Sequence, residues 1–296
     1  MTKPAPIVLV VGSLHHDIVV EADHLPRKDE TTVGTRWFPK FGGKGGNQVV
    51  SAQLHGATAR MVGAVGADGF GRFLLDRLDS SGVDHRFVVT CADVASGMSV
   101  AIVDAAGDYA ATIVSGANLQ IAPAAFADPA IWQGVGVLVL QNEIPEPANI
   151  AAATEARRRG IRTLLNAAPS RPMSAEFTRL VDILVVNAVE AEMMGTGPVT
   201  SLPAAGDAAK SLADRFETVI VTAGSLGLAA WSETDERFTI PAEKITVVSS
   251  HGAGDAFIGA LAAAMTRGEA FKTACAAASH AAADHVAGRV PATAAV

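Results

Sequence analysis

The chain has 296 residues, 49% of them hydrophobic, which suits one large globular domain with a substantial core and excludes a disordered chain. A formal net charge of −7 argues against nucleic acid or an anionic membrane surface as partner, while leaving room for an anionic substrate at a local positive site. The two cysteines, Cys91 and Cys275, lie far apart without CxxC or metal-ligand spacing, so a disulfide framework is not expected and a reducing, cytoplasmic compartment fits.

The first apolar run, IVLVV at 7–11, is too short for the core of a secretion signal and reads as a buried strand. No run reaches the ~18 apolar residues that a membrane-spanning helix needs. Residues 13–41 alternate apolar with small or polar residues and show no helical period. GGKGGN at 42–47 precedes the helical run QVVSAQLHG. It is not a Walker loop, because Gly45 follows Lys44 where Ser or Thr is needed. VGAVGADGFG at 62–71 lacks the dinucleotide-binding spacing. The helix behind it places Phe70, Phe73, Leu74, Arg77 and Leu78 on one face, with Gly82 as its stop. Residues 96–118 read as a hairpin turning at Ala105–Asp108.

Further strands are predicted at 135–140, 161–165, 182–186 and 218–222. Their nearly unbroken β-branched character fits a parallel sheet buried on both faces. PEPANIAAATEARRRG is a helix closing at Gly160, its basic run a solvated end. Glu192 is expected on a helix surface, and Met193 and Met194 in the core. Strand–helix alternation of this kind implies a three-layer α/β/α, Rossmann-like domain with a mostly parallel sheet, spanning 1–296. The segments at about 14–41 and 96–116 break the pattern and read as a small β-sheet lid, as a reaction that must exclude water would require.

The stretch SSHGAGDAF at 249–257 carries the chemistry. Gly252, Ala253 and Gly254 have almost no side chains, so their N–H groups can converge on one point. They open a helical run, DAFIGALAAAMTRG, that stops at Gly268. A helix N-terminus favours an anion there. Asp255, in the first turn, is placed to take a proton from an alcohol beside that anion. Taken singly, each glycine cluster is no more than a tight strand–helix turn.

With these pieces assembled, the chain resembles the PfkB/ribokinase family of small-molecule kinases. GGKGGNQ and HGAGDAFIGA are similar to its two signatures, NAVEAE to its N-x-x-E motif, and TAGSLG to its nucleotide loop; VGSLHHD, GAVGADGFG and QNEIP extend the likeness. The resemblance implies ATP-dependent phosphorylation of a primary hydroxyl of a small sugar, ribose before fructose or another ketose, with a nucleoside as a further option. It implies Asp255 as base and Gly252, Ala253 and Gly254 as anion hole. Asn187 and Glu190 would organise Mg²⁺ through its waters. Thr222, Gly224, Gly227 and His280 would line ATP, together with Gly254. His15, Asp17, Gly42, Gly43, Lys44, Asn47 and Glu143 would hold the sugar, and Asp17 and Glu143 suit a polyol because a carboxylate accepts from two hydroxyls at once. Lys44 is either a phosphate or substrate contact or merely solvated. A homodimer through the lid is expected, with Trp37 and Phe38 either in that contact or closing over substrate, and Phe41 in packing.

Three departures qualify the resemblance. His15 stands where the family's sugar kinases carry Asn, which points to a substrate other than plain ribose or to another pose, or is a tolerated variant with ribose still bound; His16 is turned the other way. Ser249 replaces an Asp that helps bind a monovalent cation, and the chain beyond ADHV, where that site is normally completed, is short. Activity is therefore expected to depend weakly or not at all on K⁺, with Arg289 a candidate replacement for the ion. These losses also admit a non-catalytic sugar or nucleotide sensor, against which Asp255, Gly254, Asn187 and Glu190 all speak.

Overall fold

A computed structural model describes residues 6–106, 108–232 and 236–289. Gly107, inside the expected hairpin turn, and the tail from 290, which bears on the cation site, lie outside the described residues. In chain order, β1 (Ile7–Val11) leads to β2 (His15–Ala22), β3 (Gly34–Gly42) and α1 (Lys44–Leu54). Then come β4 (Thr58–Gly66), α2 (Gly69–Ser80), β5 (Asp84–Cys91), β6 (Met98–Val103) and β7 (Tyr109–Val114). After α3 (Pro129–Trp132) follow β8 (Val135–Gln141), α4 (Glu146–Arg158), β9 (Arg162–Asn166), α5 (Ala175–Arg179) and β10 (Ile183–Asn187). Next are α6 (Ala188–Met193), α7 (Leu202–Leu212), β11 (Thr218–Thr222), β12 (Gly227–Ser232) and β13 (Arg237–Pro241). Helices α8 (Ala253–Thr266) and α9 (Phe271–Val286) complete the series.

Nine strands form one sheet in the order β13-β12-β11-β10-β9-β8-β1-β4-β5. All its pairings are parallel except β11–β12 and β12–β13. The alternation of side chains explains the layers. Leu9 and Val11 point into one core with α4, α5 and α7; Val8 and Val10 point into the other with α1, α2, α8 and α9. A strand buried on both faces must be apolar throughout, which is why IVLVV and TVIVT are.

A second sheet, β3-β2-β6-β7, stands apart. Its base is pinned where the chain crosses into it. Asn118, fully buried, accepts from Leu14 N–H (2.8 Å) and donates to Leu14 C=O (2.9 Å), and His16 N–H donates to Gly97 C=O (2.9 Å). His16 is turned away from His15 and stacks on Phe70, ring centroids 4.0 Å apart.

Three sequence readings need correction. Half of the 62–71 glycine cluster belongs to strand β4, where Gly63 and Gly66 let neighbouring backbone approach closely, and Gly69 and Gly71 lie in α2. Helix α1 starts at Lys44, inside the first glycine cluster and not behind it. Met193 is 67% exposed, because α6 is a short surface helix that turns Ala191 and Met194 inward instead. Both cysteines are free, and burial pushes the Cys275 thiol up to about 12. Among the described residues no helix is long and apolar enough to cross a membrane.

Candidate active site

The N-terminus of α8 meets α1 beneath the second sheet, and Asp255 lies at that junction, only 7% exposed. Asn47 Nδ2 donates to its Oδ2 (3.2 Å), and Gln48 Nε2 donates to its Oδ1 (2.9 Å). Gln48 Nε2 also donates to Asn166 Oδ1 (3.1 Å), which ties the carboxylate to the end of β9. Burial pushes the Asp255 carboxyl above its usual range, while Lys44 and the two amide donors pull against that rise.

Two cavities meet at Asp255. One of about 160 Å³ is lined by Lys44, Asn187, Glu190, Thr222, Gly252 and Gly254, among others. The other, about 480 Å³, runs between β3, α1 and the loop before α8, past Phe38, Lys40, Phe41 and Ser249. Gly252 adopts φ +84°, the left-handed turn that lets α8 start. A Cβ added at Gly254 would meet no atom within 4 Å, so the space above it is open. The Ala253 N–H turns back to Ser250 C=O (3.3 Å). Among the described residues, the N–H groups of Gly252, Gly254 and Asp255 make no such bond, as expected for the first turn of a helix.

On the other side, Glu143 Oε2 accepts from the Ser13 hydroxyl and from the Lys44 N–H (2.9 Å). His15 Nδ1 stands 4.0 Å from the same oxygen, and its Nε2 is buried without a partner among the described residues. Asp17 Oδ1 accepts from Ser99 (2.6 Å), and its other oxygen lies so close to Gly42 that a Cβ there would sit 2.0 Å away. Gly43 packs on the 13–15 backbone at the N-cap of α1. The structure thus gathers Lys44, Asn47, Glu143 and Asp255 around α1, with His15 and Asp17 on one face of the second sheet above them.

The remaining residues are more dispersed. Asn187 and Glu190 cap α6 reciprocally: Asn187 Oδ1 accepts from Glu190 N–H (2.8 Å), and Glu190 Oε2 accepts from Asn187 N–H (2.9 Å). Burial raises the Glu190 carboxyl, nearby Asp255 raises it further, and Lys44 lowers it. Gly224 and Gly227 lie in the turn after β11 and line neither cavity. His280 also lines neither; its Nδ1 pairs with Glu243 (2.7 Å) at the surface. The Ser249 hydroxyl accepts from His251 N–H (3.3 Å). Arg289 is committed to Asp284 (2.6 Å) and does not stand in for an ion. Ser13, Gln48, Ser99 and Asn166 were not singled out by sequence reasoning. Gln48 and Ser13 carried a signal, their places in GGKGGNQ and VGSLHHD.

Residues 6–289 match the pfkB family carbohydrate kinase model. The chain is 36% identical to ribokinase from Mus musculus over 264 residues, 88% of this chain and 82% of that protein. It is 31% identical to deoxyribokinase from Salmonella typhi over 258 residues, 86% of this chain and 84% of that protein. Among solved structures, Arabidopsis thaliana ribokinase complexed with ribose and ATP superposes with a TM-score of 0.87 at 27% identity, covering 95% of this chain and 93% of that one.

Proposed function

The chain belongs to the pfkB family of carbohydrate kinases, and from that premise we propose that it transfers the γ-phosphoryl group of ATP to the primary hydroxyl of a ribose-like sugar, with Asp255 as base. The observation that carries the assignment of the base is the setting of Asp255. It is a buried carboxylate with both oxygens oriented by amides, placed where two cavities meet beside free helix N–H groups.

The sugar oxygen forms a bond to the γ-phosphorus while the bond to the β–γ bridging oxygen breaks. ADP leaves, and the hydroxyl proton passes to Asp255. Phosphoryl transfer needs placement and charge neutralisation more than covalent help. Gly252 and Gly254 offer N–H groups, and Lys44 a positive charge, along the smaller cavity. Asn47, which lines the larger cavity, and Asp17 and Glu143, which line neither, are the proposed contacts to the acceptor's hydroxyls, with His15, whose Nε2 is buried without a partner among the described residues, beside them.

Mg²⁺ fits the same cavity. Among the described residues no three metal-binding side chains cluster, so an ion there keeps waters and phosphate oxygens as ligands, as Mg²⁺ does. Glu190, whose second oxygen is uncommitted, and Asn187 would hold those waters. When bound, the ion supplies charge neutralisation to the polyphosphate.

The second sheet acts as the lid. Trp37 and Val114, on the face away from Asp17, are 65% and 52% exposed and supply the apolar surface of a homodimer. The free cysteines support a cytoplasmic setting. With no carboxylate at 249, turnover depends weakly or not at all on K⁺. ADP release measured across pentoses, ketoses and nucleosides, in K⁺ and in an organic cation, tests this reading. Ribose is expected to give the highest kcat/KM in either cation. ADP release no faster than background with every acceptor would leave the sensor reading in its place.

A further inference from the structure

The turn that presents N–H groups to the smaller cavity is held from within by one long side-chain bond, from His251 N–H to the Ser249 hydroxyl (3.3 Å). Gly252 caps α8 without a side-chain hydrogen bond, and the residues from 242 to 250 form neither strand nor helix. What grips this turn is the end of α9. Val248 N–H and Ser249 N–H both donate to Val286 C=O (2.8 and 3.2 Å). One step back, His285 Nε2 lies 2.8 Å from His251 C=O. A carbonyl only accepts, so that ring nitrogen carries the proton. The ring also fills the space beside the turn, since a Cβ at Gly252 would lie 3.0 Å from Nε2.

The 251–252 peptide is trans. In a trans peptide the C=O of one residue and the N–H of the next point in opposite directions from one plane. Holding the His251 carbonyl toward α9 therefore turns the Gly252 N–H away from α9. Gly252 lines both cavities, and among the described residues its N–H makes no other bond. We propose that His285 is a positioning residue: by donating to the His251 carbonyl it aims the Gly252 N–H at the phosphoryl group in transfer. It acts through the turn, from the wall of the larger cavity, and its effect is on turnover more than on binding. The inference rests on the kinase reading for what the N–H meets, but not for the geometry that aims it.

The test compares His285→Phe, which keeps the ring and removes the donor, with His285→Gln, whose amide can donate from a similar distance. Loss of an oriented donor to a developing charge costs roughly 10- to 1000-fold in rate. His285→Phe is expected to lose about 10-fold or more in kcat, with KM for sugar and ATP within about 3-fold, and His285→Gln to recover most of that loss. Equal kcat in wild type and His285→Phe, or equal loss in both variants, overturns the proposal. If His285→Phe does not fold, His285→Ala with and without added imidazole decides. Recovery of kcat by imidazole supports the role and its absence overturns it. Amide exchange over 248–254, read by mass spectrometry, needs no turnover. Faster exchange in His285→Phe and wild-type exchange in His285→Gln support the grip, and identical exchange in all three overturns it. A wild type that releases no ADP with any acceptor would sink the kinase reading while the exchange experiment still judged this one.

Discussion

The two sides of Asp255 are built differently. On the acceptor side, Ser13, Glu143, Asn47, Gln48 and the α1 backbone already hold one another through buried or half-buried hydrogen bonds. On the donor side, Asn187 and Gly224 are exposed and Glu190 and Thr222 half-buried; among the described residues their side-chain hydrogen bonds are the cap of α6 and a long Thr222 hydroxyl bond to Val186 C=O (3.4 Å), with Asn187 and Thr222 paired across β10 and β11. A sugar is small and neutral, so its recognition needs polar groups fixed in advance. A nucleotide brings its own charge and, with a metal ion, much of its own organisation. Substitutions on the acceptor side should therefore have large, specific effects and those on the donor side small ones.

The largest effect is expected at the boundary. Asp255→Asn should lower kcat by roughly 10²–10⁴, the range for a lost general base, with the fold retained and KM for ATP nearly unchanged. Steady-state kinetics with circular dichroism checks both, and near-normal turnover would remove Asp255 from the chemistry. Next comes the acceptor side itself. Asp17→Asn removes a carboxylate whose charge-assisted hydrogen bonds are worth roughly 1.5–3 kcal/mol. It should raise KM for the sugar by about 10- to 100-fold and leave KM for ATP alone. A rise in both would show that the two sides are not separable.

What could be read in advance follows the same division between local and long-range. The α8 turn was legible because glycines, an acid and a helical run are neighbours in sequence, and IVLVV and TVIVT declare buried parallel strands by composition. Gln48 was legible only as part of a motif, since its bond to Asp255 spans 207 positions. Ser13 was likewise legible only as part of VGSLHHD, for its partner Glu143 lies 130 positions away. Strands β12 and β13 escaped because LAAW is half alanine and RFTIP, half-buried only at alternate residues, lacks an unbroken apolar run; β4 and β5 escaped as well. Met193 was misplaced because a six-residue helix is too short for its period to say which side faces the core.

A finer effect concerns the pH profile. Burial raises the Asp255 carboxyl, so kcat/KM should fall as pH drops through a pKa above that of an ordinary aspartate, because the base must be ionised. A hydrogen bond to the carboxylate favours the ionised form and lowers the pKa. Gln48→Met removes one such donor at nearly constant volume, so the acidic limb should move to higher pH. At pH well above the limb the loss should be only a few-fold. A limb that stays in place, or moves down, would show that Gln48 does not act on the base. The linked stability runs the opposite way. A carboxyl raised by folding binds its proton earlier in the folded state, so stability falls as pH rises between the ordinary and the raised pKa.

The smallest effect is expected at His280, a donor-side residue that lines neither cavity. Its Nδ1 is taken by Glu243 at 2.7 Å, and Asp284 lies 3.5 Å from Nε2, on the same helix. Both partners favour the protonated ring, and its raised pKa follows from the Glu243 hydrogen bond first and the Asp284 charge second. An exposed ring held this way by two acids faces a base such as adenine only if those pairings open. His280→Ala should therefore change KM for ATP by less than about 3-fold, within the range of exposed ion pairs, and should leave kcat and the sugar KM untouched. A rise of 10-fold or more in the ATP KM would show that the donor side closes around the nucleotide when it binds. The contrast between a preformed acceptor side and an open donor side would then hold only for the empty enzyme.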